Sequence, residues 1–207
     1  MTVIKICGLK DPEMATFAVN EGAAFIGLIF ERSSHRFVEI EQAKEIAIAV
    51  KEVGATPVGV FTSHRASEIE EIRATTGLEC VQLHGKKARE AHLHLPSHLM
   101  RLFTCHVEES GAILEENLIG LDPKRDFIFY DGVTPGSGHA FDWEAFTPTS
   151  SFRFFLAGGL TPSNVTKAIK LKHPTGVDVS SGVENPKTRQ KDKELIRSFI
   201  QSVREAL

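Results

Sequence analysis

Val3-Ile4-Lys5-Ile6-Cys7-Gly8 is the stretch on which the fold turns. Strand side chains alternate with period 2, so Ile4 and Ile6 share one face while Lys5 and Cys7 share the other. A glycine releases the run and leaves the thiol at the strand's tip. Free cysteine is usually buried core filler. A cysteine at a strand tip beside a lysine is instead a candidate acid–base or nucleophilic thiol.

The same division recurs along the chain. β-rich runs read at 3–7, 24–30, 57–61, 79–84, 99–104, 126–131, 152–157 and 175–179. Amphipathic stretches at 12–22, 39–53, 66–76, 87–95, 108–117, 161–173 and 188–206 separate most of them. Asp11-Pro12 and Thr161-Pro162 each read as a capping residue followed by proline at the first helical position. After the sixth run, only Asp142-Trp143-Glu144-Ala145-Phe146 is available, enough for little more than one turn.

Strands alternating with helices pair in parallel through right-handed crossovers, in an open doubly wound sheet or a closed barrel. An open sheet is covered on both faces, so its central strands should be apolar throughout. Here one parity class turns polar near the strand ends, at Lys5 and Cys7, Gln82 and His84, Asp131, and Asp178 and Ser180. The other class stays apolar, as at Ile4 and Ile6, Val81 and Leu83, and Val177 and Val179. That pattern predicts an α/β chain folded as a single (β/α)8 TIM barrel over residues 1–207. The apolar class would face the helices and the other class the lumen and its mouth.

Bulk properties narrow the function. The 207 residues are 42% apolar and 25% charged, an ordinary globular composition. A net charge of −3 supplies no basic stripe for nucleic acid. No apolar run approaches the roughly 20 residues of a membrane span, and the N-terminus does not read as a signal peptide. Cys7, Cys80 and Cys105 cannot all pair and show no CxxC spacing, which fits a reduced, cytoplasmic setting. The scattered histidines show no metal-ligand spacing, so no metal is expected.

In such barrels the catalytic groups sit at the C-terminal strand ends, and phosphate often binds after strands seven and eight. Those loops read Ala157-Gly158-Gly159-Leu160-Thr161 and Asp178-Val179-Ser180-Ser181-Gly182-Val183-Glu184. Glycines let backbone N–H groups approach an anion, and a short helix starting near Ser181 would aim its positive end there. Gly158, Gly159, Ser180, Ser181 and Gly182 are therefore the candidate phosphate cradle, although a double glycine alone also makes an ordinary turn. Asp131 ends an otherwise apolar strand, where a dry unpaired carboxylate is costly, so it lies at the mouth or has a partner. Cys7 and Asp131 on different sides of one mouth suit a general base and a general acid on opposite faces of a small substrate. Arg36 is a fork suited to a carboxylate, or a solvated loop charge. His84 is a lumen histidine that either serves a neighbouring polar group or takes part in the site.

Several motifs together resemble the phosphoribosylanthranilate isomerase family. They are Lys5-Ile6-Cys7-Gly8-Leu9, Ser33-Ser34-His35-Arg36, Val58-Gly59-Val60-Phe61, Val81-Gln82-Leu83-His84-Gly85, Gly136-Ser137-Gly138 before Phe141-Asp142-Trp143, Leu156-Ala157-Gly158-Gly159-Leu160 and Gly176-Val177-Asp178-Val179-Ser180-Ser181-Gly182-Val183-Glu184. The resemblance runs from residue 3 to about residue 192. It implies an Amadori rearrangement in tryptophan biosynthesis, with Asp131 protonating the furanose ring oxygen and Cys7 removing the C2 proton. It also implies that Arg36 holds the anthranilate end, that Asp178 sits near substrate hydroxyls or the amine, and that no cofactor is used. Lys5 is a candidate cation for lowering the Cys7 pKa. His35 stands where the family commonly carries proline, and the loop Gly132 to Gly138 has unusual wording for a lid. The alternatives are an isomerase of a related aminosugar phosphate and a non-catalytic phosphate-binding barrel. The partner is then a phosphorylated aminosugar, with neither nucleic acid nor membrane, and monomer and homodimer both suit the barrel.

Overall fold

β1 (Val3–Cys7) pairs in parallel with β2 (Phe25–Ile29) on one side and with β8 (Gly176–Val179) on the other, which closes the sheet. Between them stand β3 (Thr56–Phe61), β4 (Cys80–Leu83), β5 (Met100–Val107), β6 (Phe127–Gly132) and β7 (Phe154–Leu156), each parallel to its neighbours. This is the expected eight-stranded parallel barrel. The structure is a computed structural model that describes residues 2–114, 117–133 and 140–206.

The outer ring comprises α1 (Pro12–Glu21), α2 (Ile40–Glu52), α3 (Ala66–Thr76), the short α4 (Lys86–Glu90), α5 (Val165–Lys172) and α6 (Lys193–Arg204). Ile4 and Ile6 face this ring, in one apolar cluster with Ile46, Ile196 and Phe199 from α2 and α6. The lumen holds a second cluster that includes Phe25, Val58, Leu102, Phe127, Phe129 and Phe155. The inward parity class is therefore apolar deep in the barrel and polar only toward its C-terminal mouth. That gradient builds a dry floor beneath a reactive rim.

The helical expectations need four corrections. Residues 108–114 form a turn, not the start of a helix over 108–117. Gly111 has φ +87°, Glu108 N donates to Ala112 O at 2.8 Å, and Ile113 bridges back to Val107. (Residues 115 and 116 of that stretch lie outside the described residues.) α5 begins at Val165, not at Pro162, because the Asn164 side chain accepts from Thr161 N and donates to Gly159 O, which holds 161–164 as a turn. The stretch 87–95 divides into α4 and a 3₁₀ turn over Ala91–His94. α6 starts at Lys193, not at 188, because Glu184 and Lys191 bridge and close a loop ahead of it. Asp192 then caps α6 by accepting from Glu194 N and Leu195 N at 2.9 and 3.1 Å. Asp11 caps α1 as expected, accepting from Met14 N at 2.7 Å. The Gly136-Ser137-Gly138 motif and the lid expected to end at Gly138 lie outside the described residues from residue 134 onward.

Candidate active site

A cavity of about 790 Å³ opens at the C-terminal mouth of the barrel. Cys7, Arg36, His84, Asp131, Asp178 and Ser180 all line it, although they come from four different strand ends and the loop after β2. The other four expected residues, Gly158, Gly159, Ser181 and Gly182, are not in its wall. They adjoin it in the loops after β7 and β8. A Cβ on Gly158 would stand 2.9 Å from Asp131 Oδ1, and one on Gly182 would stand 1.9 Å from Leu160 O. Ser181–Val183 is a single 3₁₀ turn whose opening N–H groups have no partner within the turn. That leaves them suited to an anion.

Beneath the thiol lies a buried ion pair. Lys5 has no exposed surface, and its Nζ donates to Asp178 Oδ1 at 2.7 Å. Burial pulls the ammonium's pKa down, but the Asp178 carboxylate and the Cys7 sulfur override it and raise the pKa above its usual value. For Cys7 the balance runs the other way. Burial pushes the thiol up, Lys5 and Lys191 pull it down, Asp178 adds to the rise, and the net shift is upward. Lys5 is thus beside Cys7 as expected, but Asp178 already claims its charge. Gly27, one strand over, makes the arrangement possible: a Cβ there would lie 2.6 Å from Cys7 Sγ and 3.0 Å from Lys5 Nζ. Ser180 Oγ donates to Cys7 O at 3.0 Å, and Lys191 Nζ in turn donates to Ser180 O at 2.8 Å.

Asp131 sits three strands away around the closed sheet. Its Oδ1 accepts only from the adjacent Gly132 N, at 2.8 Å, among the described contacts. His84 Nδ1 is 3.9 Å from Oδ2, beyond hydrogen-bond range. Burial and the nearby Asp178 carboxylate push the Asp131 pKa up to about 7. His84 moves the opposite way, to about 4, through burial and the Lys5 charge. It is therefore neutral near pH 7 and offers Asp131 no countercharge. A carboxyl that keeps its proton near neutrality has the character of a general acid.

Arg36 is neither solvated nor free. Its Nε donates to Glu184 Oε1 at 2.6 Å and its Nη2 to Oε2 at 2.9 Å. Lys191 Nζ adds a third contact to Oε1 at 2.9 Å. Burial pushes the Glu184 carboxyl up, but these bonds from Arg36 and Lys191 prevail and hold its pKa at about 2. Sequence reasoning missed Glu184, Lys191, Gly27 and His106 as members of the site. Glu184 closed a quoted motif, and that was the one available signal. His106 lies on β5 because that strand runs to Val107, past the expected end at 104, and its ring packs edge-on against His84 at 5.1 Å. Among the described residues, no group of three or more His, Cys, Asp or Glu could hold a metal, and no helix is long and apolar enough to cross a membrane.

Comparison with known proteins agrees with this geometry. The family model of N-(5'phosphoribosyl)anthranilate (PRA) isomerase matches residues 4–202. The N-(5'-phosphoribosyl)anthranilate isomerase of Chlamydia felis is 37% identical over 201 residues, covering 97% of this chain and 96% of that protein. The crystal structure of phosphoribosyl anthranilate isomerase from Thermus thermophilus superposes with a TM-score of 0.85 at 26% identity, covering all of both chains. A phosphoribosyl anthranilate isomerase solved in complex with reduced 1-(o-carboxyphenylamino)-1-deoxyribulose 5-phosphate matches with a TM-score of 0.77 at 28% identity, covering 99% of this chain and all of that one. A closed parallel barrel, a thiol and a carboxyl of raised pKa on one mouth, and full-length similarity converge: this chain belongs to the N-(5'-phosphoribosyl)anthranilate isomerase family.

Proposed function

We propose that Asp131 and Cys7 carry out the family's isomerisation of N-(5-phosphoribosyl)anthranilate to 1-(2-carboxyphenylamino)-1-deoxyribulose 5-phosphate. Asp131 gives its proton to the furanose ring oxygen as the C1–O bond breaks. The amine lone pair moves into C1 and forms an iminium. The Cys7 thiolate then takes the C2 proton, and the C2–H electrons become a C1=C2 double bond as the iminium nitrogen is neutralised. Loss of the C2 hydroxyl proton and gain of a proton at C1 complete the ketone. The iminium acidifies C2, so the scheme needs no electron sink beyond the substrate.

The observation that carries this reading is the Asp131 pKa of about 7 in a cavity shared with Cys7. A carboxyl with an ordinary pKa near 3.9 would be almost wholly ionised at neutral pH and would make a poor acid. Arg36 would hold the anthranilate carboxylate through the guanidinium edge that Glu184 leaves open. Asp178 and His84 would contact the sugar and amine, while the loops after β7 and β8 would cradle the phosphate with N–H groups near Gly158, Gly159, Ser180, Ser181 and Gly182. The test is loss of substrate fluorescence on mixing with enzyme. Cys7→Ala and Asp131→Asn should each lower kcat by several orders of magnitude with a modest change in KM. Wild-type kcat in either variant overturns that residue's assignment.

A further inference from the structure

The loop Asn185–Gln190 between β8 and α6 carries an arginine where the backbone is unfavourable for one. Arg189 has φ +57°, a left-handed conformation that favours glycine. The loop imposes it: Arg189 N donates to Asn185 O and Asn185 N donates to Gln190 O, both at 2.8 Å. The Asn185 side chain also accepts from Lys187 N and Thr188 N. A bulky residue kept at such a position points to a role for its side chain.

That side chain reaches the active site. Arg189 lines the catalytic cavity together with Arg36, and also a neighbouring cavity of about 510 Å³. Its Nη2 is 2.9 Å from His35 Nδ1, and His35 Nε2 is 3.5 Å from Glu184 Oε2, the carboxylate that grips Arg36. An arginine can only donate, so His35 Nδ1 is the acceptor and the ring proton sits on Nε2, toward Glu184. His35 thus links the Arg36 clamp to Arg189.

The charge balance at the mouth says what this link is for. Lys5 is committed to Asp178, while Arg36 and Lys191 are committed to Glu184. Lys87, another rim cation, stands apart on α4, where its charge acts on the Glu68 carboxylate. Arg189 is bonded to an imidazole that its own contact keeps neutral, so its positive charge is not cancelled. A carboxylate docked on the open edge of Arg36 would still have lone pairs to satisfy, and Arg189 retains donors for them. We infer that Arg189 is a second recognition group for the carboxylate of the substrate's anthranilate ring, beside Arg36 and aimed by His35. This rests on the reading above that Arg36 faces that ring.

The test measures binding of two stable ligands to the intact enzyme: reduced 1-(2-carboxyphenylamino)-1-deoxyribulose 5-phosphate and its counterpart lacking the ring carboxylate. Arg189→Gly removes the guanidinium and relieves the backbone, so it should fold at least as well as wild type. Its Kd for the carboxylated ligand should rise about tenfold, as expected for losing one charge-assisted contact, and less than twofold for the other ligand. His35→Ala should weaken the carboxylated ligand about threefold and add nothing on top of Arg189→Gly. His35→Asn, which can present an acceptor near the Nδ1 position, should restore binding, whereas His35→Gln should not. An unchanged Kd in Arg189→Gly, or equal weakening of both ligands, overturns the inference. If wild type binds neither ligand, the substrate reading itself fails instead.

Discussion

Lys5 Nζ lies 2.7 Å from Asp178 Oδ1, so an ion pair ties the first strand of the barrel to the last beneath the Cys7 thiol. Lys5 is fully enclosed, and Asp178 keeps only a small exposed edge at the cavity wall, so the pair is largely dry. Lys5→Met would strand the Asp178 charge in the lumen. Removing one partner of a buried pair costs about 3–5 kcal/mol. For a chain of this length that lowers Tm by roughly 6–20 °C. A thermal melt that shifts by less than about 2 °C would show the pair to be dispensable.

The pH dependence follows from Cys7 and Asp131 together. The proposed mechanism needs the thiolate and the protonated carboxyl, yet Asp131 titrates at about 7 while Cys7 titrates above its usual value. The productive arrangement is thus a minor tautomer of the singly protonated pair. Such a pair gives a bell: kcat/KM should rise through pH 7 as the first proton leaves, and fall only in the alkaline range as the second does. A profile that declines steadily from pH 6 upward would rule out this pairing.

Asp131 also bears on stability, with the sign set by its raised pKa. Between its unfolded value near 3.9 and its folded value of about 7, the native state binds more protons than the unfolded chain. Stability contributed by this group is full below about pH 4 and is lost as pH rises through 7. Asp131→Asn removes that loss, so the variant should gain stability over wild type at pH 8 but not at pH 4. Urea melts at the two pH values check it, and an equal difference at both would contradict the shift.

Glu184 behaves in the opposite sense. Its folded pKa of about 2 lies below the unfolded value near 4.3, so its contribution is present above pH 4.3 and disappears as pH falls through 2. The shift corresponds to about 3 kcal/mol at most. Glu184→Gln should lose stability at pH 7 and show a flatter acid limb. It should also raise KM, because Arg36 loses its charged anchor. An acid limb as steep as wild type's would place the proton uptake elsewhere.

Gly182 tests the phosphate lobe. A Cβ there would meet Leu160 O at 1.9 Å, so Gly182→Ala must push the loops after β7 and β8 apart. Overpacking of this kind costs about 1–3 kcal/mol, which the barrel should survive. The proposed phosphate cradle should not, and KM should rise at least tenfold, with weaker inhibition by inorganic phosphate. An unchanged KM would place the phosphate away from these loops.

Much of this was local and therefore legible. Strand alternation is a period-2 property of neighbours, so Lys5 and Cys7 could be separated from Ile4 and Ile6 by reading alone. The repetition of that split at Gln82, Asp131 and Asp178 was enough to distinguish a closed barrel from an open sheet. Cys7 stood out because it ends its strand on the same face as Lys5, and Asp131 because it ends an otherwise apolar run. The expected helix over 108–117 was wrong because an amphipathic pattern does not register that Gly111 takes a positive φ and that Ile113 pairs back with Val107.

The sequence by itself thus determined the architecture and named the thiol and the carboxyl, because both are written in short-range pattern. Tertiary structure alone decided their electrostatics. The Asp131 pKa rises to about 7 because folding buries it near Asp178, and the Cys7 pKa rises because burial, with Asp178 beside it, outweighs the pull of Lys5 and Lys191. Arg36 is aimed by Glu184, 148 residues away, and His35 meets Arg189 across 154. Charges act through space and through the water that burial removes. Neither quantity is defined until the chain has closed on itself.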